Sequence, residues 1–271
     1  MQTTHFVRNG PLSTAYQEAG RGRALLLVHG YTGSKLDFQD QLDWFADLRR
    51  VIAYDQRGHG ESSNHRPYDF DALVADLLGL LDVLEIERCD LLGHSLGGMV
   101  ALRAVLEAPQ RFESLVLMDT AADSLPDMSA EAREHLNALV TEQGCTALLP
   151  RMREVSPSPA QRRGIDFLGD EEHWRRIGVK LEQMDPLAFT ELGPLLRNQP
   201  SLLDRLPAIE CPTTVIVGEH DSAFVEPSAV LAERLPCARL VTIPDAAHSP
   251  QYENPDSWRD AVREHLQNHN G

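Results

Sequence analysis

Short apolar runs alternate along this chain with longer stretches in which apolar residues return at every third or fourth position. The runs fall at residues 24–29, 50–55, 89–94, 114–119, 213–218 and 239–243, and their near-continuous Val, Ile and Leu content predicts strands covered on both faces. Ahead of them, residues 4–8 and 14–18 flank Asn9-Gly10, a dipeptide suited to a tight hairpin turn. Between the runs, Phe70, Leu73, Val74, Leu77, Leu78, Leu81 and Leu84 keep helical spacing behind Asp69, a residue type that caps helix starts. Residues 97–108 predict a second helix stopped by Pro109, and residues 255–266 a closing helix with Pro255 in its first turn. Strand and helix in alternation predict an α/β fold: a mostly parallel central sheet with helices on both faces.

One segment breaks the alternation. Residues 120–207 carry helical patterns punctuated by Pro126, Pro150, Pro157, Pro159, Pro186, Pro194 and Pro200, with no convincing strand. That is far longer than an ordinary connection, and it predicts a helical cap (120–207) inserted into an α/β core made of residues 1–119 and 208–271. Leu148, Leu149, Met152, Trp174, Ile177, Leu181, Met184, Leu187, Phe189, Leu192, Leu195 and Leu196 give the cap more apolar surface than a bare lid needs. Most of it should pack internally, and the remainder should roof a largely apolar pocket. Arg151, Arg153, Arg175, Arg176 and Lys180 are the cap cations that could instead anchor an acidic ligand.

Composition narrows the partners. A length of 271 residues suits one large α/β domain with an insertion. A formal charge of −16 argues against nucleic acid or an anionic membrane as a partner, since both would repel the chain. Cys89, Cys145, Cys211 and Cys237 are scattered without a metal-binding spacing, and read as reduced thiols. Residues 1–13 lack the apolar run of a leader, and no stretch approaches the roughly 18 apolar residues of a membrane span. The expectation is a cytoplasmic protein.

The chemistry gathers at Gly93-His94-Ser95-Leu96-Gly97, a G-x-S-x-G pentapeptide lying between a predicted strand and a predicted helix. A sharp turn there would hold the Ser95 hydroxyl proud of the sheet, with the helix N-terminus behind it. Serine needs a base near neutrality, and that base needs an orienting group. The chain has 11 histidines, so position must choose among them. His248 follows the last predicted strand and precedes the last helix, at the sheet edge where the serine turn also ends. Asp221, after the strand at residues 213–218, is the first candidate for the acid; Asp119 and Glu219 compete with it. The backbone N–H groups of Tyr31 and Leu96 are candidates for an oxyanion hole. His29 is expected to fix its loop. Acyl transfer to water through these groups requires no cofactor and no metal.

Together, Leu27-Val28-His29-Gly30, Asp55-Gln56-Arg57-Gly58-His59-Gly60-Glu61-Ser62, Gly93-His94-Ser95-Leu96-Gly97-Gly98, Gly218-Glu219-His220-Asp221 and Ala247-His248-Ser249-Pro250 resemble the α/β-hydrolase superfamily. The resemblance spans all but the cap. It implies the Ser95–His248–Asp221 triad and a structural turn at residues 55–62, and it sets aside the branch with an aspartate nucleophile. His94 before the serine and Gly97-Gly98 after it are typical of carboxylesterases and lactonases, which implies a small, largely apolar ester or lactone as substrate. Two other branches stay open. Carbon–carbon hydrolases of ring-fission products often carry asparagine at the position of His94. The segment His29-Gly30-Tyr31-Thr32-Gly33-Ser34 is similar to that of the menaquinone-pathway synthase, which usually has arginine where this chain has Met99. A non-catalytic binding protein on the same fold is the remaining class. His265 and His269, at helical i, i+4 spacing, are expected on a solvated helix end and not at a metal.

Overall fold

The structure, a computed structural model, describes residues 2–125 and 129–269; Pro126, one of the prolines of the helical segment, lies outside the described residues. Among the described residues, eight strands form one sheet in the order β1-β2-β4-β3-β5-β6-β7-β8. They are β1 His5–Asn9, β2 Leu12–Ala19, β3 Ala24–Val28, β4 Arg50–Tyr54, β5 Cys89–His94, β6 Phe112–Met118, β7 Thr213–Gly218 and β8 Ala238–Ile243. β1 and β2 pair antiparallel across the expected turn, where Asn9 faces Leu12 and Gly10 takes φ 58°. β2 also runs antiparallel to β4, and every pairing from β4 to β8 is parallel. The mostly parallel sheet read from the apolar runs is therefore correct, with strand ends displaced by one or two residues.

The described residues also form ten α-helices, in chain order α1 Phe70–Val83, α2 Leu96–Glu107, α3 Ala130–Gln143, α4 Leu149–Glu154, α5 Pro159–Leu168, α6 Asp170–Glu182, α7 Pro186–Asn198, α8 Val225–Arg234, α9 Pro250–Glu253 and α10 Pro255–Asn268. Asp69 caps α1 as expected, its side chain accepting from the N–H of Ala72. Successive strand residues point to opposite faces, and the core divides accordingly. Leu26, Val28, Leu91, Leu115, Leu117 and Val215 pack with α1, α2 and α8. Leu25, Leu27, Leu92, Val116, Met118 and Ile216 pack with Trp258, Val262 and Leu266 of α10 and with Phe38, Leu42 and Phe45. Each fully buried Leu or Val contributes on the order of 1.5–3 kcal/mol, so two covered faces suffice to hold the sheet rigid.

Between β6 and β7 the described residues hold five α-helices, α3 to α7, and no strand. Val140, Leu148, Leu181, Met184, Phe189, Leu192 and Leu196 of this segment are buried in the same cluster that covers one sheet face. Leu187 and Met152 are exposed instead. Among the described residues no helix is long and apolar enough to cross a membrane.

Candidate active site

Parallel register sets the C-terminal ends of five strands side by side: Val28 faces Gly93, His94 faces Met118, Met118 faces Ile216, and Gly218 faces Ile243. Every predicted site residue sits on the chain just beyond one of those ends. β5 runs out at His94, and the chain enters α2 through Ser95 at φ 53°, ψ −119°, a left-handed conformation that non-glycine residues rarely adopt. Its surroundings hold it there. The Ser95 N–H donates to Met118 O at 2.9 Å, and its carbonyl accepts from Gly98 N at 2.9 Å and Thr120 Oγ1 at 2.7 Å. The turn also needs bare backbone at Gly97, where a Cβ would lie 2.2 Å from Val28 O.

His248 Nδ1 lies 2.6 Å from Asp221 Oδ2. Since the carboxylate can only accept, this bond puts the imidazole proton on Nδ1 and frees Nε2 to act as a base. Asp221 is buried, and the turn after β7 fixes it through Asp221 N–H to Gly218 O at 3.0 Å. The Phe224 ring stacks on His248 at 4.9 Å. Of the competing acids, Glu219 is exposed and accepts from the N–H of Asp245 at 2.9 Å. Asp119 lies fully buried against Asp221, its Oδ1 accepting from Gly218 N at 2.9 Å. Among the described residues, Asp119, Asp221 and His248 form the one group whose donor atoms come within 4.8 Å of one another. Its closest pair, His248 and Asp221, is already bridged by a proton.

Tyr31 and Leu96 flank the serine. The Gly30–Tyr31 backbone runs so close that a Cβ on Gly30 would lie 3.1 Å from Ser95 Cβ. Leu96 is the first residue of α2. Neither the Tyr31 N–H nor the Leu96 N–H finds an acceptor among the described residues, and both remain able to donate to a developing oxyanion. The Tyr31 hydroxyl is engaged elsewhere, donating to Phe189 O of α7 at 2.6 Å.

The supporting residues match their expected parts, with two exceptions. His29 Nδ1 donates to Gly30 O at 2.8 Å, and its Nε2 accepts from Gln56 N at 3.0 Å, as a loop-fixing residue should. Burial lowers its pKa to about 4, which keeps the ring neutral. In the turn at 55–62, the buried Asp55 accepts from Lys35 Nζ at 2.7 Å and from Glu61 N at 2.8 Å, and Arg57 bridges to Asp76. The first exception is His94, named in the sequence only as part of the motif. Its Nε2 donates to His248 O at 2.8 Å, and burial lowers its pKa to about 3, so this neutral ring braces the loop that carries His248. The second is His265, which is not on a solvated helix end. It is buried, with Nε2 on Ser114 Oγ and Nδ1 on Thr214 Oγ1, each at 2.8 Å, which ties α10 to the sheet.

Ser95 and His248 open onto one cavity of about 660 Å³ beneath α4, α5 and α6. Its wall is largely apolar, as expected, but it also carries charge. Met152, Ile165, Leu168, Ile177 and Leu181 line it, but so do Arg153, Arg162, Arg176 and Lys180. Three of these cations are answered by carboxylates. Lys180 Nζ meets Asp37 Oδ1 at 2.6 Å, Arg176 binds Asp40 and Glu172, and Arg162 reaches Asp170 at 3.3 Å. Arg153 instead stacks over the Trp174 ring at 5.2 Å. Arg175 turns to Glu172 and Arg151 to His135, away from this wall.

Residues 25–261 match a sequence model described as the alpha/beta hydrolase family. A putative 2-succinyl-6-hydroxy-2,4-cyclohexadiene-1-carboxylate synthase of Bacillus subtilis is 29% identical over 90% of this chain and 90% of its own length. The 3-oxoadipate enol-lactonase 2 of Acinetobacter baylyi is 29% identical over 89% of this chain and 87% of its own. Among solved structures, a thermophilic esterase from Thermogutta terrifontis superposes with a TM-score of 0.81 at 28% identity, covering 100% of both chains.

Proposed function

The chain belongs to the alpha/beta hydrolase family, and on that premise we propose that it is a serine hydrolase cleaving a carboxylic ester or lactone. The observation that carries the reading is the 2.6 Å bond from His248 Nδ1 to Asp221, on the wall of the cavity that holds Ser95 in its strained turn. In this reaction Ser95 Oγ attacks the substrate carbonyl while His248 Nε2 takes the hydroxyl proton. The carbonyl oxygen becomes an oxyanion and receives the Tyr31 and Leu96 N–H groups, whose placement before reaction lowers the barrier. Collapse expels the alkoxide, to which His248 returns the proton, leaving an acyl group on Ser95. Water then repeats the steps with His248 as base, and releases the acid and free serine. Tetrahedral charge is met by backbone donors, so no cofactor enters the scheme.

The helices from residue 120 to 207 act as the cap, and the core is formed by residues 1–119 and 208–271. With three of the four lining cations neutralised, the cap leaves an uncharged substrate of small or medium size favoured over a dianionic one. Four unbridged cysteines suit a reducing cytoplasm. A second reading, elimination or carbon–carbon cleavage on an acidic substrate, draws support from Arg153 on the cavity wall and from the synthase relative.

A fluorophosphonate probe should label the wild-type protein stoichiometrically at Ser95, and Ser95→Ala should lose label and nearly all esterase turnover. A panel of neutral p-nitrophenyl esters, lactones and a dicarboxylate ester of similar size then ranks substrates. Retention of more than about a tenth of the activity in Ser95→Ala, far above the loss for such nucleophiles, would refute the assignment. A higher kcat/KM for the dicarboxylate would favour the second reading.

A further inference from the structure

Beneath the His248–Asp221 pair lies a second carboxyl group with no role in the steps above. Asp119 follows β6 at φ 44°, its backbone N–H bound to Ile216 O at 3.0 Å, and its side chain is wholly buried. Oδ1 accepts from Gly218 N at 2.9 Å, whereas Oδ2 meets no donor. Yet this carboxyl and that of Asp221 bring an oxygen each to within 4.8 Å of one another. The charged and titratable groups that face it are Asp221, His248 and a third acid, Glu253. The Glu253 carboxylate is occupied by the N–H groups of Ala247 and Ser249. No arginine or lysine forms an ion pair with Asp119 among the described residues.

Two ionised carboxylates this close inside a protein, with no cation between them, repel strongly. One proton removes the repulsion and supplies the missing donor in the same step. Asp221 already accepts the Nδ1 proton of His248, and Asp119 has only one backbone donor and total burial. We propose that Asp119 is a positioning residue: it carries a proton on Oδ2 and donates it to Asp221, so that the acid orienting His248 is one half of a proton-sharing carboxyl pair. Burial and the charge of Asp221 both push the Asp119 carboxyl well above the usual carboxylate range, in the same direction. The donated hydrogen bond holds the Asp221 carboxylate in place and quenches part of its charge, leaving its other oxygen for His248.

The inference deepens the triad reading and rests on it, so the test separates the two. Asp119→Ala removes the donor. It should lower kcat by about ten- to a hundredfold, the worth of a hydrogen bond to a charged group. It should also move the acid limb of the kcat/KM–pH profile upward, because the Asp221 charge acts on His248 less quenched. Asp119→Asn keeps an acceptor for Gly218 N and a donor for Asp221. It should restore most of the alanine loss and return the acid limb to its wild-type position. If Asp119 were ionised, asparagine would delete a negative charge beside His248 and shift that limb downward, and this result would overturn the proposal, as would an alanine variant as active as the asparagine one. Should the alanine variant not fold, the carboxyl ¹³C shift of Asp119 in the wild-type protein at neutral pH decides. A protonated shift is expected, and an ionised one refutes the idea. That measurement needs no turnover, so it stands even if Ser95→Ala shows the nucleophile to be elsewhere.

Discussion

Asp221→Asn is the sharpest probe of the proposed chemistry, because it changes one proton-bearing atom and almost no volume. In the wild-type geometry the carboxylate accepts from His248 Nδ1 at 2.6 Å. An asparagine at this position would turn its oxygen toward the neighbouring Asp119 proton and its N–H₂ toward His248. The imidazole must then carry its proton on Nε2, the atom that has to take one from Ser95. A second loss follows in the transition state, where His248 becomes a cation. With charge centres about 4 Å apart and an effective dielectric near 20, appropriate to a ring about half exposed, the lost attraction is worth roughly 4 kcal/mol. At about 1.4 kcal/mol per decade this is close to a thousandfold. The wrong tautomer adds to it, so a loss of about 10⁴ in kcat is expected, as when the same exchange is made in serine proteases. The assay is steady-state turnover of a neutral p-nitrophenyl ester, corrected for active sites by phosphonate titration, with circular dichroism to verify folding. A loss below about tenfold, or one smaller than that of Asp119→Asn, would show that Asp221 does not orient the base.

Two other perturbations test the supports of the site. Lys180→Met removes the largely buried contact between α6 and Asp37; because it strands a carboxylate, it should cost about 3 kcal/mol in urea unfolding, with kcat for a neutral ester changed less than about fivefold, and a collapse of kcat in the folded variant would mean that Lys180 takes part in the chemistry. His265→Gln addresses pH. Burial and the cations around it lower the His265 pKa to about 3, so between that value and the unfolded pKa near 6.5 the unfolded chain binds the extra proton and stability falls as pH falls. At pH 5 this costs the wild type about 2 kcal/mol relative to pH 7; the variant lacks that cost, and its stability deficit in urea melts at pH 7 should shrink by the same amount at pH 5. A deficit that stays constant would show that His265 titrates normally.

The fold was legible because its signals are local and redundant. Leu25 and Leu27 face one core and Leu26 and Val28 the other, and a strand buried on both sides must read as an unbroken apolar run. Asn9-Gly10, Asp69 and Pro255 mark their turn and helix starts by backbone chemistry that does not depend on the rest of the chain. The turn at Ser95 was legible for the same reason: at Gly97 there is space only for hydrogen. His94 and His265 were misread or passed over because what distinguishes them is a partner far away in sequence. The carbonyl of His248 and the hydroxyls of Ser114 and Thr214 satisfy those rings, and nothing adjacent in the chain announces it.

Charge on the cavity wall shows the same limit in another form. The cap cations are all visible in the sequence, and by count alone they describe a site for an acidic ligand. Their effect depends on the core residues opposite: Asp37 and Asp40, from the turn that follows β3, meet Lys180 and Arg176 across the gap between core and cap. An ion pair already made leaves little field for a substrate, and drawing the cation away would strand a carboxylate in a partly buried place at a cost that a ligand must offset. Arg153 is different, since an aromatic face holds its guanidinium without cancelling its charge. It is also exposed, near the rim of the cavity, where solvent weakens its pull. The proposed bias against dianionic substrates therefore rests on two carboxylates of the core, and replacing those should change selectivity more than adding another arginine to the cap.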